Sequence, residues 1–194
     1  MKIRESLLVG MLGTLGLVLA SCSGNRAPEP SGETPAREPD AAAERARTTV
    51  QAVYDFGMSF GTTRAELREG LGRPEDIEVE LAENRHDASS TDSLFVVRYP
   101  GLRFSLNRPG PVGHDLLTEV VLTDRGQEVP GGIRPGSTTR ADVEDALGPA
   151  DSTLPLADTL VLVHATPNPG AEEYVQFYVV AGVVERIRWI PYVD

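Results

Sequence analysis

The chain has 194 residues, 24% of them charged, and a formal net charge of −11. So acidic a chain lacks the dense positive footprint that nucleic acid requires, and anionic lipid headgroups repel it. Cys22 is the only cysteine, which excludes an intramolecular disulfide and leaves the core to stabilise the fold alone.

Residues 1–21 read as a segment that never enters the fold. Lys2 and Arg4 precede an apolar run from Leu7 to Leu19, which ends in Leu19-Ala20-Ser21-Cys22. A charged start, a short apolar core and small residues before a cut site describe a secretory signal peptide. The run is too short to span the roughly 20 residues of a permanent membrane helix. Its ending resembles the lipobox of bacterial lipoproteins, which implies cleavage before Cys22 and a lipid on its sulfur. Several acyl chains would then anchor the protein where its charge does not. Ser23 implies the outer membrane by the same resemblance. An ordinary signal peptide with an incidental cysteine is the alternative.

Residues 22–40 carry Pro28, Pro30, Pro35 and Pro39 with almost no apolar side chain. Such a segment cannot bury enough surface to offset ordering entropy and is expected to be a flexible tether. Helix-favouring Ala, Arg and Glu then begin, with Asp40 placed as an N-cap. Val50 to Phe56 leans toward strand and is ambiguous.

The next feature occurs twice. GTTRAELREGLG (Gly61–Gly72) and STTRADVEDALG (Ser137–Gly148) agree at six of twelve positions. In each, a Thr stands three residues before a carboxylate: Thr63 with Glu66, and Thr139 with Asp142. That spacing is a capping box, with the shorter Asp expected to close it less well. Leu67 and Leu71, or Val143 and Leu147, share a helix face, and Gly72 and Gly148 stand where a left-handed C′ residue is wanted. Each copy therefore predicts a short helix with its own start and stop.

Strands are expected after each helix. In the first half they are Leu94–Tyr99, Leu102–Asn107 and Leu116–Thr123; in the second, Thr159–Ala165, Glu173–Val180 and Val183–Ile190. The same order in both halves argues for a duplicated unit. The expected fold is α+β: two tandem αβββ units, residues 41–125 and 126–194, with short helices on one face of an antiparallel sheet.

Residues Ile133 to Pro149 (IRPGSTTRADVEDALGP) resemble the signature of the SmpA/OmlA-like and β-lactamase-inhibitory-protein-like superfamily. Phe56 to Pro74 fits the phrase less closely, since four residues separate Met58 from Thr63. The resemblance implies this same α+β fold. It also implies non-catalytic roles: envelope lipoproteins, a subunit of the outer-membrane barrel-assembly machine, and inhibitors of secreted enzymes.

Catalytic and metal-binding patterns are sparse. His86, His114 and His164 have no metal-ligand spacing, and the Glu75–Glu83 run lacks the repeat of a Ca²⁺ loop. HDASSTDS (His86–Ser93) crowds one polar loop without a nucleophile elbow, so it reads as solvated. No catalytic residue, metal site or cofactor is expected, and the protein is read as not an enzyme.

The strands offer a binding surface instead. Alternation places Tyr174 and Tyr178 with Arg98, Arg103, Arg186 and Arg188 on the sheet face away from the helices. Tyr and Arg dominate protein–protein hot spots, and an Arg-bearing face on an acidic protein suits an acidic partner. A merely solvated face is the alternative. The expected role is that of a lipid-anchored, periplasm-facing envelope protein that binds or supports assembly of another envelope protein. Inhibition of a secreted or envelope hydrolase is the runner-up.

Overall fold

A computed structural model describes residues 39–110 and 113–191. Cys22, the leader and nearly all of the tether lie outside the described residues. The elements run α1 (Pro39–Met58), α2 (Arg64–Leu71), β1 (Asp76–Glu83), β2 (Thr91–Tyr99), β3 (Leu102–Arg108) and β4 (Leu116–Leu122). The second half follows with α3 (Arg140–Leu147), β5 (Ser152–Leu156), β6 (Thr159–Ala165), β7 (Tyr174–Val180) and β8 (Val183–Ile190).

The fold is α+β, with three helices packed on an eight-stranded antiparallel sheet ordered β1-β2-β3-β4-β8-β7-β6-β5. Each half supplies four strands rather than the three expected. The additional ones, β1 and β5, are the two edges. The halves meet where β4 pairs β8, with Val120 opposite Trp189 and Leu122 opposite Ile187. One continuous sheet thus carries a core cluster that draws residues from both halves of the chain.

Both repeated phrases form the helices they predict. Thr63 accepts from the Glu66 amide at 3.2 Å while the Glu66 carboxylate accepts from the Thr63 amide at 3.2 Å. The Asp version closes no worse: Asp142 accepts from the Thr139 amide at 2.8 Å. Glu66 is stretched because it also accepts from the Thr62 amide at 2.7 Å. Gly72 and Gly148 have φ of 81° and 78° but ψ of −148° and −178°. They leave the helix through a glycine-only region rather than the left-handed helical one.

The stretch Val50–Phe56 is helical, part of the single helix α1, and Asp40 lies inside that helix instead of capping it. Burial explains the choice. Val50, Val53 and Tyr54 are buried, and with Gly57 they form a stripe at helical spacing. Trp189 lies against that stripe, fully buried, and donates from Nε1 to the Val53 carbonyl at 2.8 Å. A Cβ on Gly57 would sit 2.5 Å from the Trp189 ring, so close approach requires glycine there.

One core cluster joins helix residues Val53, Leu67, Val143 and Leu147 to Phe95, Phe104, Phe177 and Ile187 on one face of the sheet. The register puts these strand positions opposite one another: Val97 with Phe104, Phe104 with Val120, Phe177 with Ile187. The helices therefore cover a single face, and the other is left open.

Candidate binding face on the open side of the sheet

The register brings the expected face residues onto the open side. Arg98 pairs with Arg103, Arg103 with Val121, and Val121 with Arg188. Arg188 pairs with Gln176, Arg186 with Tyr178, and Tyr174 with Ile190. Side chains opposite one another in an antiparallel pair point the same way. Tyr174, Tyr178, Arg98, Arg103, Arg186 and Arg188 thus share one surface.

Their charges are largely answered within it. Arg98 donates to Asp76 at 2.9 Å and to Glu78 at 3.1 Å, so one cation meets two anions from β1. The hydrogen bond from Arg98 holds the Glu78 carboxyl below the usual carboxylate range. At the centre, Glu119 accepts from Arg103 at 2.7 Å and from Ser105 at 3.1 Å, and it forms an ion pair with Arg188. Arg188 also donates to the Tyr178 hydroxyl at 3.3 Å, which donates in turn to Gln176 at 3.1 Å. Burial would lower the Arg188 pKa, but the Tyr178 hydrogen bond and the Glu119 charge hold it above its ordinary value. Two guanidinium groups on one carboxylate leave this centre net positive and rigidly oriented.

Beyond the network lies an apolar end. Tyr178 is buried, with Val161 and Val163 beside it and Tyr174 packed at the margin. Arg186 stacks over the Tyr178 ring, its Cζ 3.8 Å from the centroid. On the same face, Leu154 and Leu156 of β5 are 48% and 53% exposed; they pair with Val161 and Thr159. The groups a partner would meet first are therefore Tyr174, Arg186, Leu154 and Leu156. Tyr178 supports Arg186 and Tyr174 from beneath, and Arg188 in turn holds the Tyr178 hydroxyl.

Glu119, which organises the centre, stands in the sequence only as the charged letter of LLTEVVLT. Its alternation with Leu117 and Val121 does not announce it, because the β-bulge at Ser105/Leu106 shifts the register there. Asp115 is a second residue the sequence did not mark. It is buried and accepts from the Arg64 amide, from Arg64 Nε at 2.9 Å and from Arg108 Nε at 2.9 Å. Burial pushes its carboxyl up, but the hydrogen bonds and charges of Arg64 and Arg108 win and hold it low. Arg64 lies 3.4 Å over the Phe95 ring, so this cluster ties the start of α2 to the sheet.

The histidines do not converge with these groups. His164 is fully buried on the core face, edge-on to Phe177 at 5.7 Å. The polar loop before β2 is a built turn: Asn84 accepts from the His86 and Asp87 amides, and Asp87 accepts from Ser89. Among the described residues no three His, Cys, Asp or Glu side chains gather to hold a metal. No helix among them is long and apolar enough to cross a membrane. On the helix side, a groove of about 1070 Å³ runs between α2 and β1, lined by Arg64, Arg68, Arg73, Ile77 and Tyr99.

No family model and no curated protein matches the chain. Among solved structures it is similar to a DUF4309 family protein from Bacillus subtilis, at 16% identity and a TM-score of 0.47. That match covers 78% of this chain and 99% of the other. It is also similar to a candidate β-lactamase inhibitor protein from Streptococcus mutans, at 13% identity and a TM-score of 0.26, covering 66% and 81%. Likenesses this distant carry no argument about what the chain does.

Proposed function

We propose that the protein is a non-catalytic binding module that docks an envelope protein on the open face of its sheet, held at the membrane by a lipid on Cys22. The observation that carries the docking reading is the pairing of an oriented Arg103–Glu119–Arg188–Tyr178 network with an exposed apolar margin at Leu154, Leu156 and Tyr174. A face meant only for water has no need of exposed leucines beside a prearranged guanidinium cluster. Aromatic anchors, Arg and adjacent apolar area are what interface cores use. The lipid reading rests on the Leu-Ala-Ser-Cys ending of an apolar leader, and the Pro-rich stretch after it would act as a stalk.

The two parts separate by experiment. Cys22→Ala should move the protein from the membrane to the soluble fraction without changing its circular dichroism. Tyr174→Ala with Arg186→Ala should leave the protein on the membrane and abolish recovery of its in-cell crosslinked partner. Unchanged crosslinking by that folded double variant would remove the open face from the account.

A further inference from the structure

The two edges of the sheet are built differently. β5 has five residues with Pro155 at its centre, and proline cannot donate to an added strand. β1 has eight residues, DIEVELAE, in unbroken register with β2 from Asp76↔Arg98 to Glu83↔Thr91. It contains no proline or bulge to close the edge, and its charged side chains are all acidic, which repels another acidic strand but not a basic one. Alternate backbone N–H and C=O groups along its outer side have no strand partner among the described residues.

Its side chains alternate sharply. Ile77, Val79 and Leu81 lie on the helix-side face and are 47%, 55% and 70% exposed. Asp76, Glu78 and Glu80 lie on the opposite face. Arg98 answers Asp76 and Glu78, whereas Glu80 stands opposite Leu94 with no ion-pair partner among the described residues. The edge therefore offers backbone hydrogen bonds, an apolar row and an acidic row together.

We propose that β1 takes up an extended segment of another protein as a ninth strand, with apolar side chains at alternate positions and Arg or Lys between them. Main-chain hydrogen bonds supply affinity in such strand addition, and alternate side chains supply selectivity. The apolar row extends Ile77, Val79 and Leu81, and the basic row faces Glu78 and Glu80.

Charge decides against a second copy of this chain. A two-fold pair of β1 strands keeps like faces together, so even-numbered residues meet even-numbered residues. The registers that pair nearly the whole strand set Glu78 against a copy's Glu80, or Glu80 against a copy's Glu80. Like charges directly opposite destabilise a strand pair. The Pro-rich segment of residues 22–40 is unsuited too, since Pro28, Pro30, Pro35 and Pro39 remove donors. This inference concerns the β1 edge, at the opposite end of the sheet from the Tyr174, Arg186, Leu154 and Leu156 margin, and does not depend on docking there.

The test titrates the full chain with a capped eight-residue peptide alternating Arg with Val, beside the same peptide with Glu for Arg. Amide hydrogen exchange and sedimentation are followed. The Arg peptide should bind, slow exchange at the outward amides of β1, and lose about fivefold in affinity on Glu80→Arg. Glu80 is exposed and unpaired, so that variant keeps its fold, and it should gain affinity for the Glu peptide. Absence of binding, equal binding of both peptides, binding that leaves β1 exchange unchanged, or a dimer joined through β1 would each overturn the proposal.

Discussion

Two buried residues illustrate how single side chains set the conditions under which this fold stands. Asp115 accepts from two arginines at the junction of α2 with the sheet. Its carboxyl is held below the usual range by Arg64 and Arg108 against the opposing effect of burial. A carboxyl depressed in the folded state contributes stability above its unfolded pKa, near 3.9, and that contribution is lost as pH falls through the folded value. Asp115→Asn should cost about 1–2 kcal/mol at neutral pH, since Arg64 and Arg108 lose a charged partner but are solvated enough to limit the loss. Denaturant titrations at pH 7 and pH 3 should show the variant flatter than the parent on the acid side.

His164 acts in the same direction at higher pH. Burial lowers its pKa, overriding the opposing charges of Asp151 and Glu144. Its Nε2 has no hydrogen-bond partner. The unfolded chain takes up a proton near pH 6.5 that the folded chain declines, so stability falls as pH drops from that point toward the lowered value. His164→Leu removes the group while keeping an apolar side chain among Phe177 and its neighbours. Chemical unfolding between pH 7 and pH 5 should then lose most of its pH dependence in the variant. His164 alternates with Leu160 and Leu162, which reads as partial burial, and it is buried; Asp115 was not visible in sequence, because it lies in the link before β4 and its partners are 51 and 7 positions away.

At the scale of elements, the sequence was most informative where a local rule had one answer. Capping boxes, glycine stops and the strands Thr159–Ala165 and Val183–Ile190 are local, and the structure has them where they are read. α1 was obscure because Val50, Val53 and Tyr54 favour strands by propensity, while their helical spacing pays off only against Trp189, far along the chain. The edge strands were obscure for another reason. β1 carries the alternation of a half-buried strand, yet its dense carboxylates invite comparison with a Ca²⁺ loop instead, and β5 contains a proline.

Gly57 tests the packing of α1 directly. With Trp189 already against the helix, Gly57→Ala gains helix propensity of about 1 kcal/mol but forces the indole away from its place. Overpacking of a well-filled core costs roughly 1–3 kcal/mol. A net loss of stability in thermal unfolding, with weakened near-ultraviolet signal from the single Trp, is the expected outcome. A stabilised variant would mean that α1 does not press on Trp189.

For the whole molecule, the two halves of the sheet run in matching order from edge to seam, and they differ on the open face. The strand order runs β1 to β4 from one edge and β5 to β8 from the other, joined at β4 and β8. The halves then diverge on the open face: the β1 side is acidic, and the β5 side is apolar with Arg186 and Tyr174. Periodicity alone placed Tyr174, Tyr178, Arg103, Arg186 and Arg188 on one face. It did not tell that Tyr178 is buried against Val161 and Val163 of the neighbouring strand, or that Glu119 ties Arg103 to Arg188 where β4 meets β8 far along the chain.

The central claim, that the open face is the docking surface, is tested most directly by placing a photo-crosslinking residue at position 174 and, separately, at position 43 on exposed α1. In intact cells a discrete crosslinked species should form from position 174, disappear on Arg186→Ala, and be absent from position 43. A species of the same mass from both positions, or one from position 174 that is indifferent to Arg186→Ala, would contradict the account.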